Sequence, residues 1–126
     1  MSILNKNIVF APFFLLLLYD YILVNIEGKM KRLKEIQKCL RTHKKELKKN
    51  YKVKEIGIFG SYIRGDQKEK SDLDVLVDFD ETIGLFRFVA LERYLSRLLG
   101  VKVDLVMKSA LKPRIGKRIL NEVRYI

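Results

Sequence analysis

Two aspartates, Asp72 and Asp74, follow ten residues after a glycine–serine pair, Gly60 and Ser61. In an extended chain side chains alternate between faces, so carboxylates at i and i+2 project the same way. A third acid, Asp104, lies inside the apolar run Val103-Asp104-Leu105-Val106. A charge there is costly unless something compensates it. If the segment carrying Asp104 neighbours the one carrying Asp72 and Asp74, the three carboxylates meet. Two of them about 4 Å apart repel by about 4 kcal/mol at an effective dielectric near 20. A site that collects three therefore needs cations.

The chain has one histidine, His43, and one cysteine, Cys39. Hard oxygen donors without imidazole or thiolate select Mg²⁺ or Mn²⁺ over zinc. Two such ions about 3.5–4 Å apart activate an attacking hydroxyl and stabilise a leaving pyrophosphate. Gly60 lets the backbone approach a ligand closely, and the Ser61 hydroxyl with free amides at a helix start suits phosphate oxygens. Taken singly, a Gly-Ser or an Asp-x-Asp is ordinary turn chemistry, and only their joint spacing is specific. A second such pair, Asp78 and Asp80, reads as solvent-facing at the strand exit.

The elements that must hold these residues follow from periodicity. Leu33, Ile36, Leu40 and Leu47 recur at helical spacing, which predicts a helix over 30–50 with His43 at the margin of the core and Cys39 a small half-buried residue. The β-branched alternation of residues 53–59 predicts a first strand ending at Gly60-Ser61, and SYIRGDQ a short helix or turn ending at Gly65. Residues 73–79 form a second strand, apolar on both faces and so expected under helices. Leu85, Phe88, Leu91, Leu95 and Leu98 mark a helix over 85–99 stopped by Gly100. A third strand is expected over 101–107. Pro113 opens a last helix, its stripe formed by Ile115, Ile119, Leu120 and Val123. The fold class is α/β: α-β-α-β-α-β-α, a mixed sheet of three or slightly more strands covered by helices.

At 126 residues the chain has the length of one domain, and 48% apolar residues allow a core. The lone cysteine excludes a disulfide framework and a cysteine-based zinc cluster, and suits a reducing cytoplasm. The net charge is +11, but residues 29–54 alone hold twelve Lys or Arg against Glu35 and Glu46, a net +10. The excess belongs to one segment, which reads as the solvated face of a helix or a docking face for an acidic partner. No aromatic residues interleave with these lysines, which weakens a single-strand nucleic-acid reading.

Residues 8–24 are apolar but broken by Pro12 and Asp20, short of the roughly 20 uncharged residues a membrane span needs. Asn25-Ile26-Glu27-Gly28 offers no small-residue cleavage site for a signal peptide. Residues 1–29 therefore read as a dispensable leader or a mis-assigned start, with a membrane anchor as the alternative. Residues 30–126 read as the working domain.

In its context IGIFGSYIRGDQKEKSDLDVLVDF, the pattern Gly60-Ser61-x10-Asp72-x-Asp74 resembles the nucleotidyltransferase superfamily typified by DNA polymerase beta. Within that superfamily, residues 30–126 are similar to the minimal nucleotidyltransferases, antitoxins paired with HEPN-domain toxins in type VII systems. The resemblance implies transfer of AMP from ATP to a tyrosine hydroxyl of a HEPN toxin encoded nearby, with release of pyrophosphate. It implies that Asp72 and Asp74 bind two Mg²⁺ ions (Mn²⁺ being the substitute) and the triphosphate. The same resemblance implies that Asp104 binds the catalytic metal and helps deprotonate the acceptor, that Gly60 and Ser61 hold the terminal phosphates, and that Arg64, inside the motif, neutralises phosphate charge. A partner that supplies its own recognition surface fits a chain with no further domain for a template, so neither a DNA template nor a membrane is expected. A hetero-oligomer with the toxin is compatible with this reading. Two other readings stay open on the sequence: an antitoxin that acts by occlusion without catalysis, and transfer to a small-molecule or RNA hydroxyl.

Overall fold

The computed structural model describes residues 6–126, with side chains from Phe14 onward. A long helix α1 (Lys6–Thr42) is followed by α2 (Lys44–Tyr51), β1 (Val53–Phe59), α3 (Ser61–Arg64) and β2 (Leu73–Phe79). Then come α4 (Leu85–Leu99), β3 (Val103–Met107), a single 3₁₀ turn (Lys108–Ala110), α5 (Pro113–Glu122) and a two-residue strand β4 (Arg124–Tyr125). The strands form one mixed sheet in the order β3-β2-β1-β4. β1 is antiparallel to both β2 and β4, whereas β2 and β3 run parallel. The parallel pair requires a crossover, and α4 supplies it.

Register and alternation divide the sheet into two faces. Ile56 and Ile58 pair with Val77 and Val75, and Leu73 and Val75 pair with Val103 and Leu105. These residues share one face and join a buried cluster with Ile36 and Leu40 of α1, Leu47 of α2, Tyr62 of α3, and Leu91 and Leu95 of α4. Each fully buried aliphatic side chain contributes about 1.5–3 kcal/mol of transfer free energy. The opposite face carries Gly57, Phe59, Asp74, Leu76 and Asp104. The hydrophobic core thus lies on one side of the sheet and two of the sequence-marked acids on the other.

The expected order of elements holds, with several differences at their edges. The helix expected over 30–50 is two helices meeting at His43. Near the break the Thr42 hydroxyl donates to the Lys38 carbonyl at 3.0 Å, and His43 Nδ1 donates to the Cys39 carbonyl at 2.8 Å. Side-chain donors that take carbonyls of the last turn compete with the helical ladder. His43 and Cys39 are both half-buried, as their places on the stripe imply.

The third strand begins at Val103 rather than at 101, although the Lys102 carbonyl already accepts the Leu73 amide at 2.8 Å. The last helix stops at Glu122, and Val123 takes extended angles as its cap. The apolar stripes of the last two helices are only partly buried. Leu85 is 73% exposed, and Ile115 and Leu120 also face solvent. Asp80 is exposed as expected, but Asp78 is half-buried and its Oδ1 accepts the Phe79 amide at 3.1 Å.

Helix α1 runs unbroken through residues 28–30, where the sequence suggested a boundary, and its side chains from Phe14 to Leu18 are exposed. The first five residues of the expected leader lie outside the described residues. Among the described residues no helix is long and apolar enough to cross a membrane.

Candidate active site

Asp74 and Asp104 are register partners on the parallel strands β2 and β3. Paired residues of neighbouring strands point to the same face, so the two carboxylates stand side by side. Phe59, the last residue of β1, pairs with Asp74 from the other side, and the chain turns there into Gly60 and Ser61. The turn and the acids therefore share one end of the sheet. Asp72 lies two residues before Asp74, and its Oδ2 is 3.8 Å from Lys102 Nζ in a largely exposed pair.

Gly60 adopts φ 79° and ψ −151°, a conformation that costs L side chains dearly. A Cβ built on Gly60 would also collide with the Asp74 carboxylate. Glycine is required twice over: the backbone must bend into the turn, and Asp74 must fit against it. Ser61 opens α3, and Gly65 ends it in the left-handed region, as the sequence suggested. The Gly60 carbonyl accepts the amides of Ile63 and Arg64 at 3.0 and 3.1 Å, which closes the turn.

The electrostatics follow from this crowding. Burial, then the charges of Asp104 and Asp72, push the Asp74 carboxyl up to about 6, with Arg64 opposing them. A fourth acid lies close by. Glu122, the last residue of α5, accepts the Gly60 amide at 2.9 Å through Oε2 and Arg64 Nη1 at 2.8 Å through Oε1. Burial alone would raise the Glu122 carboxyl, but the bonds from Arg64 and Gly60 and the charges of Arg64 and Arg118 carry it below the usual glutamate range. The Arg64 guanidinium is raised mainly by its bond to Glu122, and its Nε also lies 3.4 Å from Asp66.

Comparison with known proteins matches residues 40–126 to the nucleotidyltransferase domain family. The chain belongs to that family. A protein adenylyltransferase MntA of Thermococcus cleftensis is 56% identical over 97 residues, covering 77% of this chain and 98% of that protein. Among solved structures, a protein assigned to the minimal nucleotidyltransferases is 32% identical, with a TM-score of 0.58 over 79% of this chain and 93% of that one. The chain also superposes on a toxin–antitoxin crystallised with AMP-PNP, at 25% identity and a TM-score of 0.56 over 74% of this chain and 70% of that one. The mixed α/β architecture expected from the sequence is that of the minimal nucleotidyltransferases.

In this nucleotidyltransferase domain the candidate acids offer oxygen donors alone, a set that fits Mg²⁺ or Mn²⁺. The Asp74 carboxyl is raised first by burial and then by its acidic neighbours Asp104 and Asp72. Among the described residues no three of these or other acid, histidine or cysteine side chains are drawn together tightly enough to enclose an ion.

Of the residues marked in the sequence, the structure brings together Asp74, Asp104, Gly60, Ser61 and Arg64, with Asp72 at the start of the same strand. Glu122 was missed. One signal was available, since Glu122 is the only acid after Asp104 in a stretch that is otherwise basic. Nothing in its spacing points to Gly60, 62 residues away.

Proposed function

We propose that this chain is a protein adenylyltransferase antitoxin that moves AMP from ATP to a tyrosine hydroxyl of a HEPN-type toxin, and that it does so in the cytoplasm. The observation that carries the proposal is the register pairing of Asp74 with Asp104 beside the Gly60–Ser61 turn. It gives an oxygen-only acidic centre next to a turn that a phosphate chain can approach. The 56% identity to an MntA adenylyltransferase and the likeness to a toxin–antitoxin crystallised with AMP-PNP support the choice of nucleotide and partner.

Asp72, Asp74 and Asp104 would hold two divalent ions, which when bound neutralise the triphosphate and lower the barrier to its attack. Gly60 and Ser61 receive the terminal phosphates, and the free N–H groups of Arg64 balance their charge. Asp104 takes the proton from the acceptor phenol. The phenolate oxygen bonds to the α-phosphorus as the bond between the α-phosphorus and the bridging oxygen breaks, and pyrophosphate leaves. The reaction balances without any other co-reactant.

Intact-mass analysis tests this. The purified chain, ATP and Mg²⁺ are incubated with a candidate HEPN-domain partner, and a mass increase of one or more AMP units is expected, with peptide mapping placing it on a tyrosine. Asp72→Asn combined with Asp74→Asn should abolish the increase. Full neutralisation of the partner by the doubly substituted chain would overturn the enzymatic account and leave occlusion.

A further inference from the structure

Glu122 belongs to none of the elements in which the acidic centre was recognised, yet it makes two short bonds at the heart of the phosphate subsite. Oε2 takes the Gly60 amide at 2.9 Å, and Oε1 takes Arg64 Nη1 at 2.8 Å. We infer that Glu122 is a positioning residue: its carboxylate fixes the glycine turn and the arginine in the orientation that receives the nucleotide phosphates. The inference rests on the nucleotidyltransferase reading above and adds to it a residue from the far end of the chain.

Three features of the surroundings support an orienting role. The first is the freedom of the turn. Glycine reaches φ 79°, ψ −151° without strain and leaves it as readily, so the orientation of the turn depends on its hydrogen bonds. Its carbonyl is fixed by the Ile63 and Arg64 amides, and among the described residues its own amide is held by Glu122.

The second is anchoring. One residue after Glu122, past the Val123 cap, the chain enters β4, where Arg124 and Tyr125 pair with Ile58 and Gly57 of β1, two and three residues before Gly60. A Cβ on Gly57 would lie 2.7 Å from Val123 Cγ2, so the glycine is what lets this segment close on the strand. The carboxylate is thus held by backbone on both sides, and the Glu122 side chain is only 18% exposed.

The third is donor count. Arginine has five N–H donors in a planar fork. Glu122 occupies one and Asp66 faces another, which orients the plane and leaves the remaining donors for phosphate oxygens. Arg64 offsets part of the Glu122 charge, and its unpaired N–H groups remain directed by that bond.

Titration calorimetry with AMP-PNP and Mg²⁺ on the full chain tests the proposal. Glu122→Ala is expected to weaken binding about tenfold, and Glu122→Gln, which keeps an acceptor for the Gly60 amide, about threefold. In an Arg64→Ala background the effect of Glu122→Ala should fall by at least half, which a purely structural role would not produce. In turnover assays KM for ATP should rise more than kcat falls. Should Glu122→Ala fail to fold by thermal melting, the isosteric Glu122→Gln carries the test. Unchanged AMP-PNP affinity in the folded variants overturns the proposal, and so does tighter binding, which would make Glu122 a competitor for the phosphates. If the unsubstituted chain binds no AMP-PNP, the nucleotidyltransferase reading fails first and takes this one with it. Binding by the unsubstituted chain with no effect at Glu122 sinks this inference alone.

Discussion

Asp104 lies beside Asp74, one on each of two parallel strands, in direct register and on the face of the sheet opposite the hydrophobic core. The two positions are thirty residues apart in the chain and are joined by the α4 crossover. Had β3 slipped by one residue, Asp104 would have pointed into the aliphatic cluster and a core valine or leucine would have taken its place on the opposite face. The placement of the acids and the packing of the core are therefore one geometric fact.

That pairing makes a prediction about pH. Asp74 has its carboxyl pushed up to about 6 from 3.8, by burial and then by Asp104 and Asp72. A carboxyl raised in the folded state favours folding in its protonated form. Its contribution is fully present below about pH 4 and lost as pH rises through about 6. In urea unfolding without divalent ions, the Asp74 contribution to stability should be larger near pH 4.5 than at pH 7, seen as the difference between the parent and Asp74→Asn at the two pH values. Asp74→Asn should remove this pH dependence and stabilise the metal-free protein at pH 7 by about 1 kcal/mol, once solvent screening is discounted. A variant no more stable than the parent at pH 7 would contradict the electrostatic account.

Gly60 should tolerate no side chain. Gly60→Ala combines a disallowed backbone conformation with a collision against the Asp74 carboxylate, and a loss of about 2–3 kcal/mol of stability is expected. Gly84 is the control: a Cβ there meets nothing within 4 Å, and Gly84→Ala should lie within about 0.5 kcal/mol of the parent. Paired urea titrations of the two variants check the contrast.

Gly57 sets the distance between β1 and the C-terminal segment. Gly57→Val would drive a side chain into Val123, the Arg124 carbonyl and Tyr125, at an expected loss of about 1–3 kcal/mol. Hydrogen exchange should show loss of protection at the Ile126 amide, which donates to the Ile56 carbonyl at 2.9 Å. Retained protection there would mean that β4 is not held by this contact.

The core should respond to cavities where the exposed stripes do not. Leu40 is fully buried between α1 and the sheet, and Leu40→Ala should destabilise by about 2–5 kcal/mol. Leu120, although it falls on the helical stripe of α5, faces solvent, and Leu120→Ala should change stability by less than about 0.5 kcal/mol. Chemical denaturation of both variants would separate a buried position from one that is only periodic.

Local pattern by itself determined a good deal of this protein. Alternation and β-branching marked β1 and β2 to the residue, and glycines at 65 and 100 marked the ends of α3 and α4, because strand period and left-handed caps are properties of a few consecutive residues. The types and spacing of Gly60, Ser61, Asp72 and Asp74 likewise pointed to one end of the sheet as the candidate site. What lies beyond a local window was decided by the tertiary structure. The two-residue strand β4 is too short to show a period, and it packs where Gly57 leaves room for Val123 and Tyr125. The solvent exposure of Leu85 and Ile115 reflects where α4 and α5 sit against the sheet, which periodicity cannot report. The bridge from Glu122 to Gly60 and Arg64 joins residues about sixty positions apart. No spacing rule reaches that far, because a hydrogen bond depends on where chain segments meet in space and not on their separation in sequence.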